Sequence, residues 1–378
     1  MAGIYLHIPF CKQACHYCDF HFSTQMRTKE AMLKALQREL KLRKDELEGE
    51  AIETIYFGGG TPSVLEVSEI EALIAAVQRH YHVIQDAEVT LEANPDDLSN
   101  NRIIELSKSP INRLSIGIQS FFDADLQLMN RAHNAREAEE CVKKAQEYFE
   151  NISIDLIYGI PGADNDRWKA NIEKALALQV PHISSYALTV EPRTALKKFI
   201  EKGLVPEMDD EQAQEQFHML LDMLENEGFV NYEISNFGKE GFFSKNNTSY
   251  WQGKKYLGIG PSAHSFDGEV RSWNIRNNIK YIKALELGEL PLEREALSVR
   301  DRYNEYVMTG LRTIWGVSFK KVRTEFGEPY ESYLKGQSEK YIKEHLLFVD
   351  EDRLLATKKG KFLVDGIASD LFMVNLVK

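Results

Sequence analysis

The chain has 378 residues and carries 46 Lys and Arg against 58 Asp and Glu, a net charge of −12. Phosphate neutralisation needs a clustered basic surface, so this balance argues against a nucleic-acid partner. No apolar stretch approaches the ~20 residues of a membrane helix, no basic-then-apolar leader opens the chain, and four cysteines in this length fit a reducing cytoplasm better than a disulfide framework.

Strand and helix signals alternate through the first half. Gly3 to Ile8 reads as a strand and Lys29 to Leu47 as a helix. Ile52 to Phe57 is a second strand, ending in the turn Gly58-Gly59-Gly60-Thr61-Pro62, with a helix over Ser68 to Tyr81. Strands follow at Ala87 to Glu92, Arg113 to Ile118, Ile152 to Ile157 and His182 to Leu188, with helices between them at Asn100 to Lys108, Ala135 to Tyr148 and Trp168 to Leu178. Repeated units of this length predict a parallel sheet covered by helices. Six units rather than eight predict an open, partial (β/α)6 barrel over residues 1–205. Asp210 to Glu227 is an amphipathic helix, and Tyr232 to Phe237 a short strand and turn, in a connecting segment 206–290. Residues 291–378 read as a small, mostly helical C-terminal domain, with a winged-helix shape as one form it can take.

The unusual residues fall at successive strand ends, where a β/α barrel builds its site. After strand one come Cys11, Cys15 and Cys18, spaced C-x3-C-x2-C. Three thiolates on one loop hold three corners of an iron–sulfur cube and leave one iron open, whereas electron-transfer clusters use four cysteines. The competing reading is zinc, with His7, His16 or His21 as fourth ligand, but no second paired ligand set exists. Cys141, far away in a charged helical stretch, reads as a helix residue without a metal role. The glycine turn after strand two predicts successive free amides, an anion nest. Glu92 ends strand three and suits an ammonium or ribose hydroxyls. Gln119 follows strand four, an amide that needs partners there. Asp155 interrupts an apolar strand, and an inward carboxylate needs a partner. Alone, Arg131 reads as a solvated arginine and His264 as a structural histidine. Tyr250, Trp251 and Tyr256 read as core packing or as the lining of a flat apolar pocket.

Together these segments resemble the oxygen-independent coproporphyrinogen III dehydrogenase family of radical S-adenosylmethionine (SAM) proteins. The resemblance runs through Tyr5 to Cys11, Phe57 to Pro62, Glu92 to Pro95, Gly117 to Ser120, Ile154 to Gly162, Tyr232 to Phe237 and Gly258 to His264. It implies a 4Fe-4S cluster on Cys11, Cys15 and Cys18, with SAM on the open iron. It places Tyr5, Tyr17, Gly59, Gly60, Thr61, Glu92, Gln119, Arg131 and Asp155 where that family contacts SAM, the glycine turn holding the amino and carboxylate ends of its methionine part. Cys11 stands almost at the start, and Phe20 stands where the dehydrogenase has a fourth cysteine. Both features resemble the HemW branch, which implies a haem carrier serving a recipient haem protein, and a homodimer. The alternatives are oxidative decarboxylation of coproporphyrinogen III and an iron–sulfur or zinc protein without SAM chemistry. That branch's haem motif reads His-Asn-x-x-Tyr-Trp; here it is Asn246-Asn247-Thr248-Ser249-Tyr250-Trp251. Haem contact is then left to His264, Tyr250 or stacking on Trp251.

Overall fold

The computed structural model describes residues 1–374. Six parallel strands open the chain: β1 (Ala2–Ile8), β2 (Ile52–Gly59), β3 (Val83–Ala93), β4 (Arg113–Gln119), β5 (Asn151–Tyr158) and β6 (His182–Ala187). Between and after them run α1 (Lys29–Leu42), α2 (Val67–His80), α3 (Asn100–Ser107), α4 (Asp123–Leu128), α5 (Ala135–Ala145), α6 (Asn165–Ala177) and α7 (Ala195–Glu201). The strand sequences explain the layering. Ile4, Leu6 and Ile8 alternate with Tyr5 and His7; Ile55 and Phe57 alternate with Tyr56; Leu91 alternates with Glu92. Period-2 alternation sends the aliphatic set outward under the helices and the polar set to the barrel interior. Helix α5 shows the matching device: Ala138, Cys141, Val142 and Ala145 form its buried stripe, and Asn134 with Glu137 closes a capping box at its start. Cys141 packs there as a core residue.

Six barrel strands stand as the sequence reading expects. The connecting segment does more than that reading assigns to it. After α8 (Asp210–Asn226), β7 (Val230–Glu233) and β8 (Asn236–Gly238) extend the sheet beyond β6. After α9 (Lys245–Trp251), β9 (Tyr256–Ile259) pairs in parallel with β1 on its free edge. The antiparallel strands β10 (His264–Phe266), β11 (Val270–Asn274) and, after α10 (Asn278–Glu286), β12 (Leu292–Ala296) continue outward. The result is one sheet of twelve strands in the order β12-β11-β10-β9-β1-β2-β3-β4-β5-β6-β8-β7. The short helix α9 is seated by the barrel: a Glu88 carboxylate accepts the Lys245 and Asn246 amides at 3.1 and 3.2 Å.

The C-terminal part has its own core, in which Tyr303, Val307, Leu311, Leu334 and Leu354 are buried. It is built from α11 (Val299–Leu311), β13 (Val317–Ser318), α12 (Phe319–Phe326), α13 (Glu328–Lys343), β14 (Leu347–Asp350), β15 (Arg353–Ala356), α14 (Lys358–Lys361) and α15 (Val364–Asp370). The helices expected there carry a three-stranded sheet, β13-β15-β14, that the sequence reading does not resolve. Ile234 packs against both this core and the barrel core.

Candidate cluster and cofactor site

The cysteine loop is stapled at both ends. Cys11 donates its amide to the Ser23 carbonyl at 3.1 Å, and Thr61 donates its amide to Phe10 at 2.7 Å. On the far side, Asn130 Nδ2 donates to Ala14 at 2.7 Å, Gln13 Nε2 to Asn130 at 2.8 Å, and the His16 amide to Met129 at 3.0 Å. Two donors aim at sulfur: Thr61 Oγ1 lies 3.3 Å from Cys11 Sγ and Arg131 Nη1 lies 3.3 Å from Cys15 Sγ. Burial pushes the Cys11 thiol up to about 12 and the Cys18 thiol up to about 11. Ionising these thiols in a low-dielectric site costs free energy that a bound cation offsets, so the donor set fits a metal cluster. The zinc reading fares worse. His7 spends both ring nitrogens, on Tyr5 and the His21 carbonyl, while His16 and His21 each spend one, on the Leu128 carbonyl and on Asn278. Among the described residues no three His, Cys, Asp or Glu side chains are placed to share one ion.

Arg131 is the hub of the site, not a solvated side chain. Its Nη2 donates to Asn94 Oδ1 at 2.6 Å and to the Gly117 carbonyl at 2.8 Å, while Asn94 Nδ2 reaches Thr61 Oγ1 at 3.3 Å. Hydrogen bonds to cluster sulfurs help set reduction potential, because they stabilise the electron-rich reduced state. Thr61→Val should therefore lower the midpoint potential of the reconstituted cluster. A redox titration followed by electron paramagnetic resonance checks this, and an unchanged potential removes Thr61 from that role.

The glycine turn differs from its expectation. Gly60 N–H bonds the Ile8 carbonyl at 2.9 Å, and Thr61 N–H is the bond to Phe10 already described. The Gly60 and Thr61 amides are spent holding the cysteine loop, so the two do not form an anion nest. Among the described residues no donor reaches the Gly60 carbonyl, an acceptor that suits an ammonium group.

Below the cysteines the barrel interior holds two half-buried carboxyl groups. Glu92 accepts from Tyr56 Oη at 2.7 Å, and Asp155 from Ser115 Oγ at 3.4 Å. Burial, with the neighbouring Asp155 charge adding to it, pushes Glu92 up to about 7. Burial pushes Asp155 up to about 6, against the opposing pull of Arg113. Tyr5 stacks on Tyr56 with ring centres 6.0 Å apart. Gln119 sits at φ +71° at the end of β4, and its Oε1 accepts from Tyr186 at 3.2 Å. Burial raises Tyr17, whose ionisable neighbours are Arg131, Cys15, Cys18 and Asp155. Tyr5, Tyr17, Glu92, Gln119, Arg131 and Asp155 thus gather at one barrel mouth. Tyr56, Asn94 and Arg113 belong to the same network and escaped the sequence reading. A polar side chain at the inward position of an apolar strand is the signal that marks Tyr56 and Arg113.

Both carboxyls have folded-state pKa values above their unfolded ones, so the folded chain favours their protonated forms. Their contribution to stability is complete below about pH 4. It is lost as pH rises through about 6 for Asp155 and about 7 for Glu92. The ligand-free protein should melt at a lower temperature above this window than within it, and Glu92→Gln should flatten the decline. Equal slopes for the two proteins in a pH series of thermal melts would remove Glu92 as its source.

Tyr250, Trp251 and His264 do not form one group. Tyr250 is half-buried, its ring edge-on to Tyr256 at 4.5 Å, and Trp251 follows it on α9. His264 is exposed on β10 and stacks on Trp273 at 6.1 Å. Asn246 points into the barrel floor, with Thr54 Oγ1 3.2 Å from its Oδ1. The haem-motif position is therefore a buried barrel contact in this chain.

The radical SAM superfamily model matches residues 5–180, and the HemN C-terminal domain model matches residues 297–363. The "Heme chaperone HemW" of Lactococcus lactis is 35% identical, with 96% of this chain and 97% of that protein covered. The chain belongs to the HemW family. The Bacillus subtilis member is 33% identical over 96% of this chain and 97% of its own length. A mitochondrial radical SAM domain-containing protein of Bos taurus is 33% identical over 84% of this chain and 74% of that one. The fold matches that of the coproporphyrinogen III oxidase HemN of Escherichia coli, with a TM-score of 0.86 and 22% identity, over 99% of this chain and 90% of that one. Radical SAM membership implies a 4Fe-4S cluster and SAM. Among the described residues no helix is long and apolar enough to cross a membrane.

Proposed function

We propose that this HemW-family protein is a haem chaperone that holds a 4Fe-4S cluster, SAM and haem, and passes haem to a haem protein. The observation that carries the reading is end-to-end similarity to proteins named for that role, joined to a cysteine loop with donors aimed at its sulfurs. Cys11, Cys15 and Cys18 hold the cluster, which when bound offers an open iron and a source of single electrons to SAM. Glu92 and the Gly60 carbonyl face the cationic groups of SAM, Arg131 and Gln119 its polar end, and the rings of Tyr5 and Tyr17 border it. Raised carboxyl pKa values suit a site that ionises as a cation enters.

The enzyme reading keeps one supporting observation, the shared fold with HemN. Phe20 argues against it: this side chain is 69% exposed beside the cysteine loop, where the dehydrogenase carries a fourth cysteine. Anaerobically reconstituted protein should shift the Soret band of added haem and release that haem to an apo haem protein. Incubated with coproporphyrinogen III, SAM and a reductant, it should form no product over many turnovers. Repeated turnover would overturn the chaperone reading in favour of the dehydrogenase.

A further inference from the structure

A cleft of about 530 Å³ lies where α9 and the β9–β11 hairpins face the C-terminal domain. That volume falls in the range of small-molecule sites. Tyr250, Trp251 and Tyr256 line it from the barrel side, and Tyr306 from α11. A second cavity of about 350 Å³ adjoins it and shares Trp251 and Tyr306, so the indole stands between the two. The Arg312 guanidinium lies 5.1 Å from the Trp251 ring centre and steadies it.

The charges are unevenly committed. Arg271 pairs with Glu305 at 2.9 Å, and Lys321 sits 4.5 Å over the Tyr306 ring with Glu325 at 3.9 Å. Arg302 lines the cleft half-buried and has no ion pair or hydrogen bond among the described residues. A guanidinium left free on an aromatic wall presents a fork that fits a carboxylate.

We infer that this cleft takes a planar aromatic molecule with carboxylate arms, gripped by its ring faces and by Arg302 and not through a central metal. The class of planar ligand and the Tyr250–Trp251 wall rest on the haem reading above; the facing wall, the Arg302 fork and the indifference to the central metal are new. Haem iron takes imidazole, thiolate, thioether or phenolate ligands. The residues lining the cleft include no histidine, cysteine or methionine. Its tyrosines are set as walls: Tyr306 Oη accepts the Ser318 amide at 3.0 Å beneath Lys321, and Tyr250 and Tyr256 pack edge to face at 4.5 Å. What remains is stacking and carboxylate pairing, which do not distinguish a metalated ring from an empty one.

The test titrates haem, metal-free protoporphyrin IX and its dimethyl ester into the full chain, Arg302→Gln and Trp251→Leu, following Soret absorbance and porphyrin fluorescence. Haem and protoporphyrin IX should bind within about threefold of each other, and the ester should bind at least about tenfold more weakly. Arg302→Gln should weaken both acids by about tenfold, as expected for losing one charge-assisted hydrogen bond. Glutamine is a good helix former and Arg302 has no hydrogen bond among the described residues to lose, so circular dichroism should show this variant folded. Tight haem binding without protoporphyrin binding overturns the inference in favour of iron ligation. Unchanged affinities in both variants overturn it too, and leave haem carriage standing at another site. If neither porphyrin binds the parent chain, the inference falls together with the chaperone reading.

Discussion

Cys15→Ala should emerge from anaerobic reconstitution without a four-iron cluster, its iron and sulfide at background. Cys15 is one of three thiolates that the cluster geometry needs, and its Sγ is the atom that Arg131 addresses at 3.3 Å. Losing one of three corner ligands leaves two irons without protein donors, and such a cluster is released, not merely loosened. The fold should survive, because Cys15 is only half-buried and the loop keeps its staples through Ala14, His16 and Asn130. Cys141→Ala is the matched control. That thiol is buried in α5, so its loss should leave iron content unchanged. Iron and sulfide per chain, with circular dichroism on the same samples, decide the matter. Full iron in Cys15→Ala would overturn the cluster assignment.

Gly60→Ala should damage both stability and cluster loading. A Cβ at position 60 would stand 2.6 Å from the Phe10 carbonyl oxygen and 2.9 Å from that of Ile8. Both neighbours are backbone, so neither swings aside as a side-chain tip does. Relieving the clash means parting the turn from β1 and weakening the Gly60 and Thr61 amide bonds that hold the cysteine loop. Overpacking of this kind costs about 1–3 kcal/mol. In a chain of this size that lowers the melting temperature by about 1–4 °C, because the shift per kcal/mol shrinks as the unfolding entropy grows with length. Gly366→Ala is the control, since nothing lies within 4 Å of a Cβ built there. Equal melting temperatures and equal iron loading for the two variants would show that the turn does not position the loop.

Much of this architecture is legible in the chain because the physics acting on it is local. Buried parallel strands must be apolar runs, and their crossover helices must carry a 3.6-residue stripe, so β1 to β6 announce themselves. Cysteines, glycines and carboxylates at the ends of such strands stand out against that background. The outer strands do not. Leu292 to Ala296 reads Leu-Glu-Arg-Glu-Ala, and β8 and β10 have three residues each, too short to show a period. Their identity comes from the neighbours they pair with. The glycine turn misled for a similar reason: its residues announce free amides, and only the folded chain shows Ile8 and Phe10 taking them. Arg131 reads as a surface arginine until Asn94, Gly117 and Cys15 close around it. The cleft is harder still, because Trp251, Arg302 and Tyr306 come from helices in two different cores.

That division has a consequence for release. A molecule enclosed by a single core leaves only when side chains packed on every side give way together. The cleft wall carrying Tyr250 and Tyr256 belongs to the barrel, and the wall carrying Tyr306 belongs to the C-terminal domain. Along the seam between them Ile234 is a shared apolar contact, and Glu233 bridges to Thr313. Phe362 also reaches across it onto Phe217, so parting the walls breaks a short set of contacts between the cores and leaves most of each packed, and a cargo seated there can depart while the protein that carried it stays folded.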